Sequence, residues 1–232
     1  MDFGSEHVER VWAVGAADRS RLRAGSDVTP AAAAERVLDL VIAALLILFL
    51  MPLLAAIAAG SVATSEGPIL FGHLRIGRGG RPFRCWKFRS MVVDADARLS
   101  HLLSTDEEAR QEWSRDHKLK HDPRVTAFGS FLRRSSLDEL PQLWNVIRGD
   151  MSLVGPRPIV SAEAARYGHR FAVYCSVRPG LTGLWQVTGR NNSSYRRRVA
   201  MDCLYVRRKR LMLDLWILAA TLPAVLLAKG SY

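Results

Sequence analysis

The sequence predicts an α+β fold that is mostly helical, with a re-entrant membrane helix-break-helix, interfacial amphipathic helices and a small antiparallel β-hairpin. Three observations lead to this prediction. A long uncharged apolar run lies near the N-terminus, two β-rich runs flank a glycine-rich turn, and the stretch Asp94–His117 is rich in Ala, Leu, Glu and Arg. We expect a flexible tail over residues 1–30, the membrane helix over 31–65 and one folded domain over 66–232.

The uncharged run extends from Leu40 to Ser65, 26 residues in which no side chain is charged. At about 1.5 Å per residue it is long enough for a hydrocarbon core of about 30 Å. Pro52 stands in the middle, where a proline removes a helical hydrogen bond and kinks or breaks the helix. Two alternatives follow: a helix that breaks at Pro52 and returns to the same side, or a kinked helix that spans the membrane.

The flanks of this run slightly favour the re-entrant alternative. Lys and Arg near a membrane segment prefer the cytoplasmic side, and here both flanks are basic. The flanking cations are Arg19, Arg21, Arg23 and Arg36 before the run, and Arg75, Arg78, Arg81, Arg84, Lys87 and Arg89 after it. A re-entrant helix puts both of its ends in the cytoplasm.

A second apolar stretch, from Leu215 to Ala228, contains Pro223 and is too short to cross a bilayer. We therefore expect an interfacial helix. A basic cluster precedes it, composed of Arg196, Arg197, Arg198, Arg207, Arg208, Lys209 and Arg210. Such a cluster suits an anionic leaflet, at about 1 kcal/mol per cation near the surface. The alternative is a solvated helix face or a patch that binds nucleic acid.

Composition narrows the classes of partner. The formal charge of +11 indicates an anionic partner, whether nucleic acid, lipid headgroups or a phosphate-bearing substrate. The three cysteines are far apart without C-x-x-C spacing, so neither a zinc site nor a disulfide framework is predicted. The first 30 residues lack the pattern of a secretory signal peptide, and the sequence has no recognisable nucleic-acid-binding motif.

Short elements follow the membrane run. Pro68–Ile76 and Pro82–Met91 are β-rich, and Gly77–Arg81 between them predicts a hairpin turn. The composition of Asp94–His117 predicts one surface helix. A further helix is predicted from Ser136, with a capping box to Glu139, to a C-terminal cap at Gly149. Its apolar face would carry Leu137, Leu140, Trp144 and Ile147, and its polar face Asp138, Gln142 and Asn145.

Asp138 and Glu139 fall in the first turn of that predicted helix, where they have two interpretations. Acids in a first turn commonly do no more than complement the helix dipole. Here, however, cations surround them in sequence: Lys87, Arg89, Arg133, Arg134 and, in a Gly-Pro-Arg-Pro turn, Arg157. Guanidinium groups bind phosphate oxygens bidentately, and paired carboxylates suit a hard cation such as Mg²⁺. The combination is typical of phosphate chemistry.

Several longer motifs carry a resemblance to a known family. They are Gly67–Phe71, Lys87–Met91, Asp122–Thr126, Ser136–Gln142, Gly149–Pro158 and Arg178–Arg190, with the spaced Asp202 and Asp214. With these motifs in this order, the chain resembles the polyprenyl-phosphate sugar-1-phosphate transferases over about residues 35–228. These enzymes are the monotopic phosphoglycosyl transferases of bacterial glycoconjugate assembly, and the chain is similar to their short form.

The resemblance implies a function and a set of site residues. Asp138 would attack the β-phosphate of a UDP-sugar, release UMP and form a covalent phosphosugar intermediate, from which polyprenyl (undecaprenyl) phosphate takes the phosphosugar. Glu139 would help to hold Mg²⁺ with Asp138, or assist proton transfer. The residues expected to bind substrate phosphate are Lys87, Arg89, Arg133, Arg157 and Arg190, with Asp214 as a supporting polar residue and Pro52 at the membrane break.

The resemblance also implies a place in the cell. The re-entrant helix would lie in the bacterial inner (cytoplasmic) membrane, with the catalytic domain of residues 66–232 on the cytoplasmic face in contact with lipid. Nucleic acid is not an expected partner, and a homodimer is left open. Two alternatives remain: a basic membrane-associated adaptor or nucleic-acid binder without catalysis, and a transferase that moves the sugar without its phosphate and releases UDP.

Overall fold

The computed structural model describes residues 30–116, 119, 122–188 and 194–226. All of the predicted tail except Pro30 lies outside the described residues, as does Arg190, one of the predicted phosphate-binding residues. The described part of the chain is mostly helical with little sheet, so the predicted α+β class is confirmed.

The elements follow one another in a simple order. The helices are α1 (Pro30–Thr64), α2 (Ala95–Thr105), α3 (Glu107–Asp116), α4 (Ala127–Arg134), α5 (Gln142–Arg148), α6 (Ala164–Tyr167), α7 (Phe171–Cys175), α8 (Leu184–Thr188), α9 (Tyr195–Arg208) and α10 (Leu211–Leu226). The strands are β1 (Leu70–Ile76), β2 (Pro82–Phe88), β3 (Ser152–Val154) and β4 (Gly180–Thr182). Single 3₁₀ turns are formed by Arg78–Gly80, Leu137–Glu139, Ser161–Glu163 and Gly168–Arg170.

Helix α1 contains the predicted membrane run. Within the described residues it is the one helix long and apolar enough to cross a membrane, judged by length and composition. Large apolar side chains project from it, and Phe49 is 79% exposed. The predicted break at Pro52 is wrong at the level of secondary structure, because Pro52 lies inside the helix. A helix can kink at a proline and so tolerate the loss of one backbone hydrogen bond. Re-entry into the membrane stays a prediction.

The described residues form two compact units. The first unit contains those in 30–49, 72–86 and 142–226, and the second those in 50–71 and 87–141. Two apolar clusters form the core of the first unit, one around Leu143 and Tyr205 and the other around Tyr167 and Tyr174. The core of the second unit is a smaller cluster around Phe88 and Leu132.

The predicted hairpin is confirmed. Strands β1 and β2 pair, and the turn closes where the Gly77 amide donates to the Arg81 carbonyl at 2.8 Å. A second sheet, which the sequence analysis did not predict, pairs β3 with β4 in parallel. Gly180 permits this pairing, because a Cβ there would lie 2.0 Å from the Gly155 amide nitrogen.

Helix α5 reverses the polarity that its pattern predicts. Trp144 is 55% exposed, whereas Gln142 and Asn145 are buried. The Asn145 side chain accepts from the Trp86 amide at 3.0 Å and donates to the Arg84 carbonyl at 2.7 Å. These hydrogen bonds to β2 satisfy the polar groups of Asn145 in its buried position. Gly149, at φ +88°, ends the helix as predicted.

The predicted single helix over Asp94–His117 is two helices. The chain is extended at Asp106, whose carboxylate accepts from the Ala109 amide at 3.0 Å and so caps the start of α3. Near the C-terminus, α10 is the predicted short apolar helix, with Pro223 inside it and Trp216 and Leu222 exposed. Its contact with a membrane interface stays a prediction.

Candidate active site

Four predicted site residues lie together in the second unit. Lys87 is near the end of β2, Arg133 is in the last turn of α4, and Asp138 and Glu139 are in the 3₁₀ turn that follows. Phe88 and Leu132, the neighbours of Lys87 and Arg133 in sequence, are core residues of this unit. The core therefore fixes both elements that supply the cations.

The predicted capping box at Ser136 is wrong. Ser136 has left-handed backbone angles (φ +57°), and its side chain does not cap the turn. Among the described residues, Ser136 is the one non-glycine residue with a positive φ. This conformation costs free energy for a residue with a Cβ. The strained turn separates α4 from Leu137–Glu139. It places Asp138 on the buried side, 7% exposed, instead of on a solvated first turn of a longer helix.

Lys87 joins the two acids. Its Nζ lies 2.6 Å from Oε1 of Glu139 and 3.6 Å from Oδ2 of Asp138. The closer contact is a hydrogen-bonded ion pair, and the longer one is an ion pair to the more buried acid. One ammonium group therefore neutralises part of the charge on two neighbouring carboxylates.

Burial raises the pKa of Asp138 above its ordinary value. The positive charge of Lys87 opposes this increase, the negative charge of Glu139 adds to it, and the positive charge of Arg133 opposes it. Loss of either cation would therefore favour the protonated acid. The site therefore contains a buried carboxylate whose ionised form is disfavoured by burial and favoured by two nearby cations, a combination common at functional sites.

Arg133 is held by a residue that the sequence analysis did not single out. Its Nε donates to the Ser90 hydroxyl at 2.7 Å. Burial lowers the pKa of the guanidinium, and the charges of Asp138 and Asp122 oppose that effect. Asp122 itself accepts two hydrogen bonds from Arg124, at 2.8 Å from Nε and 2.7 Å from Nη2. These three further residues lie in the Lys87–Met91 and Asp122–Thr126 motifs, which could have pointed to them.

The remaining predicted residues have other partners. Arg89 donates to the Glu66 carbonyl at 2.8 Å. Arg157 belongs to the first unit, where its charge lowers the pKa of Asp202; burial, the larger effect, raises that pKa to about 7. Tyr167 donates a hydrogen bond to the same carboxylate at 2.7 Å.

Asp214, the predicted supporting residue, also belongs to the first unit. It accepts a hydrogen bond from the Tyr205 hydroxyl at 2.8 Å and forms an ion pair with Lys209, which contacts Glu35 as well. Burial raises the pKa of Asp214 to about 6, against the hydrogen bond from Tyr205. These contacts connect the start of α10 to α9 and α1, so they give Asp214 a structural role within its unit.

The acid pair fits Mg²⁺ in its donor chemistry. Mg²⁺ is usually held by one or two carboxylates, with water and substrate phosphates completing its octahedron. Asp138 and Glu139 supply two carboxylates, and no cluster of three or more potential metal ligands occurs among the described residues. The Lys87 ammonium already lies beside both acids. The two carboxylates therefore fit Mg²⁺ by donor type, with the Lys87 ammonium as a second cation beside them.

Comparison with known proteins identifies the family. A family model described as bacterial sugar transferase matches residues 30–228. The chain belongs to the bacterial sugar transferase family. The match covers both described units and every predicted site residue.

Individual members of the bacterial sugar transferase family are similar over the same region. A UDP-galactose-lipid carrier transferase of Erwinia amylovora is 50% identical over 198 residues, which are 85% of this chain and 41% of the relative. An undecaprenyl-phosphate galactose phosphotransferase of Salmonella typhimurium is 48% identical, with the same coverage. The exopolysaccharide production protein ExoY of Sinorhizobium fredii is 47% identical, over 85% of this chain and 88% of the relative. The chain thus spans about two fifths of the first two relatives and most of the third.

Proposed function

We propose that this protein transfers a sugar 1-phosphate from a UDP-sugar to polyprenyl (undecaprenyl) phosphate and releases UMP. The observation that carries the proposal is a buried aspartate, Asp138, beside Lys87, Arg133 and Glu139 in the second unit. The relatives support it by name, since two are described as transferases acting on a lipid carrier or on undecaprenyl phosphate.

The reaction would proceed in two displacements. In the first, a carboxylate oxygen of Asp138 attacks the phosphorus next to the sugar, and the bond from that phosphorus to the bridging oxygen breaks. UMP leaves with the bond electrons, and the phosphosugar is esterified to Asp138. In the second, an oxygen of polyprenyl phosphate attacks the same phosphorus, which restores the carboxylate and yields polyprenyl diphosphate sugar. Covalent catalysis divides one difficult step into two easier ones.

The described cations have distinct parts in this scheme. Lys87, which contacts both acids, favours the ionised nucleophile before attack. Arg133 supplies the planar fork that suits phosphate oxygens and lies close enough for its charge to act on Asp138. Asp138 and Glu139 would hold Mg²⁺, which when bound offsets charge on the transferring phosphoryl group.

The site has a proposed location as well. Helix α1 and the basic residues on both of its flanks favour the cytoplasmic face of the bacterial inner membrane, where a UDP-sugar and a lipid-linked phosphate can meet. The product would be the first lipid-linked intermediate of an exopolysaccharide or similar glycoconjugate.

Product analysis tests the proposal. The full chain in detergent is incubated with polyprenyl phosphate, Mg²⁺ and a panel of UDP-sugars that includes galactose, glucose and N-acetylated hexoses. We expect UMP and polyprenyl diphosphate sugar with at least one donor. Release of UDP would indicate transfer of the sugar alone and would overturn the assignment, as would the absence of turnover with every donor.

A trapping experiment tests the covalent step. Without the lipid acceptor, intact-protein mass spectrometry should detect one added phosphosugar and an equivalent amount of UMP. Asp138→Asn should lose both, and its turnover should fall by at least about 10⁴-fold, as expected for the loss of a nucleophile. Asp96→Asn is the matched control, an exposed acid on α2 of the same unit. Retained turnover in Asp138→Asn would exclude Asp138 as the nucleophile.

A further inference from the structure

The backbone at Ser90 is fixed on both sides. The Arg89 amide donates to the Ile69 carbonyl at 2.9 Å, and Met91 forms an antiparallel bridge with Val125. The Ser90 carbonyl itself accepts from the Thr126 amide at 3.2 Å. Ser90 is 7% exposed. Its position in the second unit therefore does not depend on its own side chain.

Helix α4 approaches this backbone at a glycine. A Cβ at Gly129 would lie 2.1 Å from the Ser90 carbonyl oxygen and 2.6 Å from the Ser90 Cα. Any larger residue would push the helix away. Arg133 follows Gly129 by four residues and so lies on the same face of α4. The close approach at Gly129 brings the guanidinium of Arg133 to the Ser90 hydroxyl.

The hydrogen bond uses one edge of the guanidinium. An arginine has five N–H donors in a rigid fork, and here Nε donates to Ser90 at 2.7 Å. Among the residues that the structure describes, the charges of two acids, Asp138 and Asp122, act on Arg133. Both carboxylate oxygens of Asp122 already accept hydrogen bonds from Arg124. The two Nη groups of Arg133 carry the other four N–H donors of the fork, in the same plane as the Nε that Ser90 holds.

We propose that Ser90 is a positioning residue for the transfer reaction: its hydroxyl fixes the rotation of the Arg133 guanidinium so that the Nη edge meets the phosphate oxygens of the substrate. This inference rests on the proposed function. Bidentate phosphate binding requires a defined plane, and a guanidinium held at Nε loses less freedom when the substrate arrives. Ser90 contacts no reacting atom in this scheme and acts through Arg133.

The experiment compares Ser90→Ala with wild type in the full chain, using the UDP-sugar that turns over. The lost hydrogen bond to a charged group predicts a decrease in kcat/KM of about 10- to 100-fold. Arg133→Gln should cause a larger decrease. In the Arg133→Gln background, Ser90→Ala should have little further effect, because its effect passes through the same guanidinium.

Controls separate positioning from folding. Ser90→Cys keeps the volume but supplies a weak acceptor, so it should lose activity as Ser90→Ala does, and it provides the test if the alanine variant does not fold. Ser135 lies two residues after Arg133, and its hydroxyl donates to the Phe131 carbonyl. Ser135→Ala removes that hydroxyl and should retain wild-type kcat/KM.

The outcomes are distinct from those for the proposed function. An inactive wild-type chain overturns the function and this inference together. With an active wild type, wild-type kcat/KM in folded Ser90→Ala or Ser90→Cys overturns the positioning role alone. Fully additive losses in the double variant do the same, since they would show that Ser90 acts independently of Arg133.

Discussion

Lys87 places one ammonium group beside two carboxylates of unequal burial. It is closer to Glu139, the more exposed acid, than to Asp138. If Asp138 becomes esterified, its negative charge is lost, and the contact with Glu139 keeps Lys87 paired. In the proposed reaction, the same cation would stabilise the ionised Asp138 before attack and would keep Glu139 as its partner afterwards.

This arrangement predicts a pH effect. Burial raises the pKa of Asp138, and Lys87 opposes the increase. In the proposed reaction Asp138 must be ionised to attack, so the acidic limb of kcat/KM should lie at a higher pH than an ordinary aspartate would give. In Lys87→Met the opposing charge is absent, the pKa of Asp138 rises further, and the limb should move to higher pH. The loss of activity should therefore be greater at low pH than at high pH, as measured by UMP release across a pH series.

Arg98→Met provides the control for a change in net charge. Arg98 pairs with Asp94 on the surface of the same unit, at 3.0 Å. Its removal should leave the acidic limb in place. An unchanged limb in Lys87→Met, or a shift to lower pH, would contradict the proposed coupling between Lys87 and Asp138.

At this scale the sequence predicted four of the residues that meet, together with others that have different partners, and it missed how the four are held. The pairing of acids and cations followed from the motifs, and Lys87, Arg133, Asp138 and Glu139 do lie together. The burial of Asp138 depends on the left-handed turn at Ser136. In the sequence, this serine has the pattern of a helix cap, which does not predict such a turn. No local pattern identifies a backbone that tertiary contacts hold in a strained conformation.

Helix α4 shows how one element sets the position of a site. Gly129 lets it contact the Ser90 backbone, and its last turn supplies Arg133. Intrinsic helix propensity favours alanine over glycine by about 1 kcal/mol. We predict the opposite sign for Gly129→Ala: a loss of about 1–3 kcal/mol from overpacking, together with reduced turnover as Arg133 is displaced. Thermal unfolding and UMP release measure the two effects.

The neighbouring residue gives the control for this prediction. Ser130→Ala raises helix propensity on α4 without adding a Cβ, so its thermal stability and turnover should remain near wild type or rise slightly. An increase in stability for Gly129→Ala would show that α4 can move away from Ser90 at little cost.

At the scale of elements, local chemistry decided what could be predicted. The hairpin of β1 and β2 followed from a turn whose residues are adjacent in sequence. The pairing of β3 with β4 joins two three-residue strands about 28 positions apart, too short for a periodic pattern. The polarity of α5 failed for another reason: Asn145 is buried because β2 supplies its hydrogen bonds, which the helix pattern alone does not contain.

For the whole molecule, the course of α1 decides where the site can act. The helix is apolar throughout its central part, and its large side chains are exposed. We predict that its two ends lie on the same, cytoplasmic side. Single cysteines at Ala33 and Glu66, on either side of the apolar run, should then react with a membrane-impermeant maleimide in inverted inner-membrane vesicles and not in intact spheroplasts.

The native cysteines set the background labelling in this measurement. Cys85, Cys175 and Cys203 are buried free thiols, so wild type should label slowly. Ser104→Cys, on exposed α2, reports the side on which the second unit lies. Reaction of the two α1 positions from opposite sides would establish a spanning helix and exclude re-entry.

Asn145 has a consequence for how copies of this chain can meet. Its carboxamide offers β2 one acceptor and one donor, at Trp86 and Arg84, the pair that an adjoining strand would offer. The side chain thus occupies the position of a third strand and leaves this stretch of β2 without an open edge. Strand addition is a common route to aggregation of small sheets, and the Asn145 side chain opposes it at this stretch of β2.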